Sequence, residues 1–442
     1  MPKVLFFAET AAQWSVIRPL LPHLREFEIE LMVGPSVPLS ENAHRFTKHE
    51  LAPQTGKDRR VPALTRYLGK DVDFTIYKYY RNLFRTKLDY HTDILKRSKI
   101  DLVVVGEDGI SAEIWLIRAA KKLRVPVVIL PYEASGREDF INVLKTKKRE
   151  NSLVVFDDRQ QEFLGRIGAS SWMADFEGDA AAIYPLEYIA ALTDMGFTFL
   201  NPWTTHGGEA DILFSEAPAM TAFYHDEGLE KKQILETGSP YDDAMHNVIV
   251  TDQEVSRAYD RHTQIRTDKA SVLVSLPPNY DMQRGAFSEF SSYDAMRDTI
   301  VEELGTSAAT VTVLVHPAYF DQVSSGESDG VALYSKNWLL EEIPRHDIFV
   351  TSGSSTLRWS AAARKVTVNF DVYKLGLEFF DRIPGLRQFT SHTECFSFVK
   401  ELANDGAKYS DYISRHAEGT QSWGYLDGGC NDRIVNALKT LA

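Results

Sequence analysis

Three short clusters in this 442-residue chain combine residue types and spacings that can do chemistry. The first is Gly106-Glu107-Asp108-Gly109, directly after the apolar run DLVVV at 101–105. A carboxylate on such a tight, exposed turn can take the proton of an attacking hydroxyl within hydrogen-bond reach. The plain alternative is a Gly- and Asp-rich turn that ends a strand. The second is His316-Pro317, after TVTVLV at 310–315. A strand-end histidine can donate to a phosphate, and its charge is adjustable near neutral pH. The proline restricts it to extended backbone; the alternative is a turn histidine without a role. The third is TSGSST at 351–356, between DIFV and LRWSAAAR. Gly353, Ser354, Ser355 and Thr356 would offer N–H groups and hydroxyls at a helix start, which suits an anion. Simple N-capping by Ser354 or Ser355 is the alternative.

All three clusters follow strand-like runs. In the first half these are 3–8, 28–33, 101–105, 125–130, 211–215 and 233–237, with helix-like stretches at 11–26 and 112–123. The pattern restarts near 270, with strands at 270–276, 309–315, 347–351 and 366–370. Helices are expected at 287–304, 337–343, 354–364 and 393–403. Alternation of this kind gives parallel sheets covered by helices on both faces, which bind ligands at the carboxyl ends of their strands. The expected organisation is an α/β N-terminal lobe over 1–240, a polar linker over 241–268 and a C-terminal lobe over 269–425. The tail, 426–442, carries a helix expected to pack back on the first lobe. Segments 36–100 and 131–208 break the rhythm, and connections that long commonly carry function or their own structure.

The composition narrows the function classes. A net charge of -13 disfavours nucleic acid, because neutralising phosphates needs a basic surface. Two cysteines, with no CxxC or Cys/His framework, read as reduced thiols rather than a metal site. His206 and Glu209 in THGGE fit no common metal-ligand spacing, so no metal is expected. No apolar stretch approaches ~18 residues, and the N-terminus reads as a buried strand rather than a leader. The protein is expected in the cytoplasm. The basic aromatic stretch 77–88 leaves peripheral contact with the inner membrane face open.

The double α/β plan, with TGSPYDD at 237–243 and Pro277-Pro278 after the first strand of the second half, resembles GT-B glycosyltransferases. It is also similar to UDP-N-acetylglucosamine 2-epimerases and to glycerophosphate-polymer transferases. The ordered set EDG, HP and SS resembles bacterial sialyltransferases of GT-B type and transferases using CMP-activated sugars such as Kdo. The resemblance implies two Rossmann-like lobes with a cleft between them. It also implies transfer of a CMP-linked acidic sugar to a glycan, lipid or protein hydroxyl, without a metal or other cofactor. Asp108 would be the base, with Glu107 as second choice. His316 would contact the departing CMP phosphate, with Pro317 beside it. Gly353, Ser354, Ser355 and Thr356 would hold that phosphate, and Pro277, Pro278 and Asn279 would edge the nucleotide base. Glu9, Thr10, Gly109 and Glu133, at strand ends of the first lobe, are candidates to line the acceptor side. The competing readings are a UDP-N-acetylhexosamine 2-epimerase-like enzyme, a transferase with a UDP, GDP or CDP donor, and a non-catalytic sugar-nucleotide binder.

Overall fold

The computed structural model describes residues 1–35, 37–38, 46–55, 72–110, 112–133, 135–260, 269–277, 288–305, 310–314, 333–335 and 338–442. The chain divides into two compact units. The first comprises 1–215, 221–237 and 432–442; the second comprises 216–220 and 238–431.

The first unit is built on a seven-stranded sheet. Its strands are β1 (Lys3–Ala8), β2 (Glu28–Val33), β3 (Thr47–His49), β4 (Leu102–Val105) and β5 (Val127–Ile129). A separate small antiparallel sheet holds β6 (Val154–Val155), β7 (Ala174–Phe176) and β8 (Asp179–Ala182). β9 (Ile212–Ser215) and β10 (Gln233–Glu236) complete the main sheet. Its order is β10-β9-β5-β4-β1-β2-β3, and every pairing is parallel. Val4, Leu5, Phe6, Val103, Val128 and Ile129 are all fully buried, as expected of strands covered on both faces. The chain runs outward from β1 through β2 and β3, then returns to β1's other side with β4. That reversal creates a switch point between the carboxyl ends of β1 and β4, the place where such sheets bind ligands.

The second unit repeats the scheme with six strands. They are β11 (Val272–Ser275), β12 (Val311–Leu314), β13 (Leu333–Ser335), β14 (Ile348–Thr351), β15 (Val366–Phe370) and β16 (Arg387–Phe389). The order is β13-β12-β11-β14-β15-β16, again parallel throughout. Its core joins Val272, Val274, Ile348 and Val368 to Met296, Ile300, Phe396 and Val399 from the covering helices. Burial of each such side chain is worth about 1.5–3 kcal/mol. The reversal here lies between β11 and β14, and Thr351 Oγ1 donates across it to the Ser275 carbonyl at 3.0 Å.

Several elements differ from the sequence reading. The first helix stops at Ile17 rather than 26, because Pro19 and Pro22 cannot continue it. The described part of the supposed linker is helical, with Pro240–Thr251 and Gln253–Asp260, and both helices belong to the second unit. Ser239 caps the former in a capping box with Asp242, with Pro240 at its first position, a strong start signal. The helix Gly406–Thr420 was not anticipated. Segment 36–100 supplies the 25-residue helix Phe74–Ser98, capped by Asp73 and ended by left-handed Lys99. Segment 131–208 supplies the helices Arg137–Arg149, Asp158–Arg166 and Leu186–Asp194 beside the small sheet. Residues 432–442 group with the first unit, where Arg433 donates to the Thr237 carbonyl and Lys439 pairs with Glu26. No helix among the described residues is long and apolar enough to cross a membrane.

Candidate active site

The switch point of the first unit gathers side chains from three neighbouring strand ends. Thr10, after β1, caps the first helix and accepts from the Gln13 amide at 3.2 Å. Gln13 Oε1 accepts in turn from the backbone N–H of Glu9 (2.7 Å) and Thr10 (3.3 Å). With its oxygen so used, Gln13 must present its NH₂ group outward, and Nε2 donates to Glu107 Oε1 at 3.0 Å. From the end of β5, the Tyr132 hydroxyl donates to the same oxygen at 3.3 Å. Gly106 makes this possible: a Cβ there would lie 2.8 Å from Tyr132 Cδ1 and 3.1 Å from Gln13 Cγ. Glu107 is thus oriented by two donors and keeps 9% of its surface exposed.

The adjacent Glu133 is half-buried. Burial first, then the charge of Glu107, raises its carboxyl to about 7. Two carboxyls in one desolvated place cannot both ionise freely. Near neutral pH Glu133 is therefore partly protonated. Burial and the facing Glu107 also push the Tyr132 hydroxyl well above its ordinary range. Tyr184 is raised in the same way. It comes from the long 131–208 segment and stacks on Tyr188 at 4.3 Å.

Asp108 has a different environment from its neighbour. It has no exposed surface, and its Oδ2 lies 2.6 Å from Lys232 Nζ. Its carboxylate also accepts from the backbone N–H of Gly208 (3.1 Å) and Ala210 (2.8 Å). The expectation that Asp108 is the base and Glu107 the lesser candidate is therefore corrected by access: a fully enclosed, ion-paired carboxylate cannot reach a substrate hydroxyl. Gly109 sits beneath the same loop, its N–H donating to the Thr205 carbonyl at 2.7 Å, and lines no open surface. Glu9 and Thr10 are exposed at the end of β1.

His206 and Glu209 belong to no group of metal-like spacing among the described residues. His206 is fully enclosed, and burial lowers its imidazole to about 4, so it is neutral. Glu209 Oε1 is occupied by Arg118 (3.0 Å) and Thr198 (2.8 Å). Among the described residues one group has metal-like spacing, Asp243, Asp427 and Cys430. Asp243 there accepts from the amides of Cys430 (3.0 Å) and Asn431 (2.8 Å), which is the arrangement of a helix cap. Both cysteines are buried and neither is in a disulfide.

In the second unit, the turn after β14 carries the serine cluster. Gly353 has φ +55°, a left-handed value that favours glycine, and its N–H donates to Asn369 Oδ1 at 2.9 Å. Ser354 Oγ accepts from the Thr356 amide at 3.3 Å and shares a hydrogen bond with Thr356 Oγ1 at 2.9 Å. Ser355 occupies the N-cap position without a side-chain cap bond. Residues 352–356 are all half-buried. Pro277 follows β11 and its carbonyl accepts from the Tyr293 hydroxyl at 2.7 Å. His316, Pro317, Pro278 and Asn279 lie outside the described residues.

Sequence reasoning missed Lys232, Gln13, Tyr132 and Tyr184. The Thr10-x-x-Gln13 capping box was a legible signal for Gln13. Nothing local marks Lys232 as Asp108's partner 124 positions away.

The sequence matches no family model, and no curated protein matches it. Solved structures do match in shape. A variant of the wall teichoic acid polymerase TagF superposes with a TM-score of 0.52 at 13% identity, covering 99% of this chain and 88% of that one. MnaA of S. aureus with UDP gives 0.52 at 14% identity, with 99% and 96% covered. A putative UDP-N-acetylglucosamine 2-epimerase of Listeria monocytogenes gives 0.53 at 13%, with the same coverages. Together with the two parallel sheets, these likenesses establish the α/β architecture of two Rossmann-like lobes, the GT-B fold.

Proposed function

We propose that the protein is a sugar-nucleotide-dependent glycosyltransferase in which Glu107 is the general base. The observation that carries this is Glu107's orientation at the β1/β4 switch point by Gln13 Nε2 and the Tyr132 hydroxyl. In the step, the acceptor hydroxyl gives its proton to Glu107 as its oxygen bonds to the anomeric carbon. The bond from that carbon to the nucleotide phosphate oxygen breaks, and the nucleotide leaves with the electron pair. The half-buried Ser354 and Ser355 are suited to hold its phosphate, with His316 supporting departure.

The donor is read as a CMP-linked acidic sugar, on the order of the EDG, HP and SS clusters. CMP leaves with a single phosphate, which a few neutral donors and one histidine can hold. A second reading, a UDP-N-acetylhexosamine 2-epimerase-like enzyme, is favoured by the carboxyl pair itself. Glu133, its carboxyl raised to about 7, and the neighbouring Glu107 would supply the acid and base that proton transfer at a sugar carbon needs.

The deciding experiment is a thermal-shift screen against CMP, CDP, UDP and GDP, since a ligand of the folded state raises Tm by mass action. Stabilisation by CMP that Ser355→Ala abolishes supports the first donor. Stabilisation by UDP alone moves the assignment to the epimerase-like reading or to a UDP-sugar transferase. No response to any of the four would sink both.

A further inference from the structure

The second unit carries a pocket that the proposed chemistry does not use. It lies where the helices His392–Asn404 and Gly406–Thr420 meet the start of β16. Its volume, about 590 Å³, falls in the ~300–1,000 Å³ range of small-molecule sites. Leu386, Phe398, Leu402 and the ring of Tyr412 give it an apolar floor, while Arg387, Lys408, Arg415 and His416 stand at its rim.

The rim has cationic capacity to spare, although the chain as a whole is acidic. Its two carboxylates are already neutralised, Glu401 by Lys408 at 2.5 Å and Asp411 by Arg415 at 2.6 Å. Arg387 has no carboxylate partner among the described residues. Its guanidinium lies over the rings of Phe389 and Phe398, at 5.7 and 5.4 Å. Stacking of that kind uses the face of the guanidinium and leaves its in-plane N–H donors for a ligand.

The wall opposite is fixed. A Cβ at Gly385, where φ is +74°, would fall 2.5 Å from His416 Cγ, so the imidazole packs where only glycine leaves room. The Tyr412 hydroxyl donates to the Gly385 carbonyl at 2.5 Å, and its ring lies 4.9 Å from that of His416. The charged groups around His416 are Arg387 of β16, Glu401 of the preceding helix, and Lys408, Asp411 and Arg415 of its own. Burial, then Arg415 and Arg387, hold its pKa down.

We propose that this pocket binds a small ligand carrying a phosphate group on an apolar or aromatic body. Arg387 and His416 take the phosphate, and Phe398 and Tyr412 hold the body. An anion seated there offsets the two guanidiniums and draws a proton onto His416.

Phenyl phosphate is the probe, titrated calorimetrically into the full chain with the His416 ring resonance followed by NMR. Binding should weaken at least tenfold in Arg387→Ala, whose exposed side chain makes no contact needed for folding beyond two ring faces. The His416 pKa should rise on binding. Phenol and inorganic phosphate should each bind more weakly than phenyl phosphate, and saturating CMP or UDP should leave the binding unchanged. Absence of binding at millimolar concentration would overturn the proposal. So would unchanged affinity in both Arg387→Ala and His416→Gln, or displacement by the nucleotides, which would assign the probe to the catalytic centre.

Discussion

Lys232 Nζ lies 2.6 Å from Asp108 Oδ2, and neither side chain has any exposed surface. Lys232 also donates to the carbonyls of Ala210 (3.2 Å) and Gly208 (3.4 Å), while Asp108 accepts from the amides of the same two residues. The pair therefore clamps the loop through 204–210 against the turn that carries Glu107. Thr204 and Thr205 on that loop donate through their hydroxyls to the Ser135 carbonyl, both at 3.2 Å, which ties down the segment following Glu133. Removing one member of a buried pair strands the other charge, at about 3–5 kcal/mol. Asp108→Asn and Lys232→Met should each lose about that much stability in urea unfolding, and the double variant should recover part of it. An Asp108→Asn protein as stable as wild type, yet inactive, would return Asp108 to the role of base.

Glu107→Gln should do the reverse. Glutamine keeps an oxygen to accept from Gln13 and Tyr132, so stability should stay within about 0.5 kcal/mol. Loss of the base should lower kcat by roughly 10²–10⁴-fold while nucleotide binding persists. Steady-state kinetics alongside thermal shift separates these outcomes, and retained turnover would remove Glu107 from the mechanism.

The contrast between these two neighbours marks where sequence reasoning stopped. That the EDG turn ends a strand of an α/β sheet was legible from the alternation of strands and helices, and the sheet order places it at the switch point. Which carboxylate faces the substrate depends on Lys232, 124 positions away, and on Gln13, 94 positions from Glu107. Neither distance leaves a local trace. The helix Pro240–Thr251 is another matter. Its start, Ser239-Pro240-Tyr241-Asp242, is a local signal, but the polar stretch behind it read as a linker. Its buried Tyr241, Met245 and Ile249, spaced four apart, show one narrow apolar stripe among polar residues. The strand runs of β1 and β4 were legible because burial on both faces makes them almost continuously apolar.

Ser355 offers a test of the phosphate turn that stability does not confound. Its side chain makes no cap bond, so Ser355→Ala should change unfolding free energy by less than about 0.5 kcal/mol. If the turn holds the donor phosphate, nucleotide affinity should nonetheless fall several-fold. Ser354→Ala should cost more stability, because Ser354 Oγ accepts from the Thr356 amide and loss of such a bond costs about 0.5–2 kcal/mol. Equal nucleotide affinity in Ser355→Ala and wild type would leave capping as the turn's only role.

Glu133 makes stability depend on pH in a defined direction. Its folded pKa, about 7, exceeds the ordinary 4.5. Between those values the folded chain keeps a proton that the unfolded chain has released. Its contribution is fully present below pH 4.5 and is lost as pH rises through 7. Asp242, raised to about 7 mainly by burial, acts in the same direction, so the informative quantity is the difference between wild type and Glu133→Gln. That difference should grow in the variant's favour from pH 4.5 to 7 and level off above. A flat difference across the window would show that Glu133 does not hold a proton there.

Gly106 and Gly109 flank the carboxylates and should fail in opposite ways when changed to alanine. At Gly106 the new Cβ meets side chains, Tyr132 Cδ1 at 2.8 Å and Gln13 Cγ at 3.1 Å. Those side chains can shift, so the stability loss should be modest, about 1–3 kcal/mol. The two groups displaced are the ones that orient Glu107, so kcat should fall by at least tenfold, by the sensitivity of catalysis to small misplacements. At Gly109 the Cβ meets backbone, the Thr204 and Thr205 carbonyl oxygens at 2.7 and 2.8 Å. Backbone held by the Asp108–Lys232 clamp cannot yield, and the loss should appear mainly as instability. Parallel urea titrations and kinetics on the two variants would read this contrast, and a Gly106→Ala enzyme with normal kcat would show that neither Tyr132 nor Gln13 positions the base.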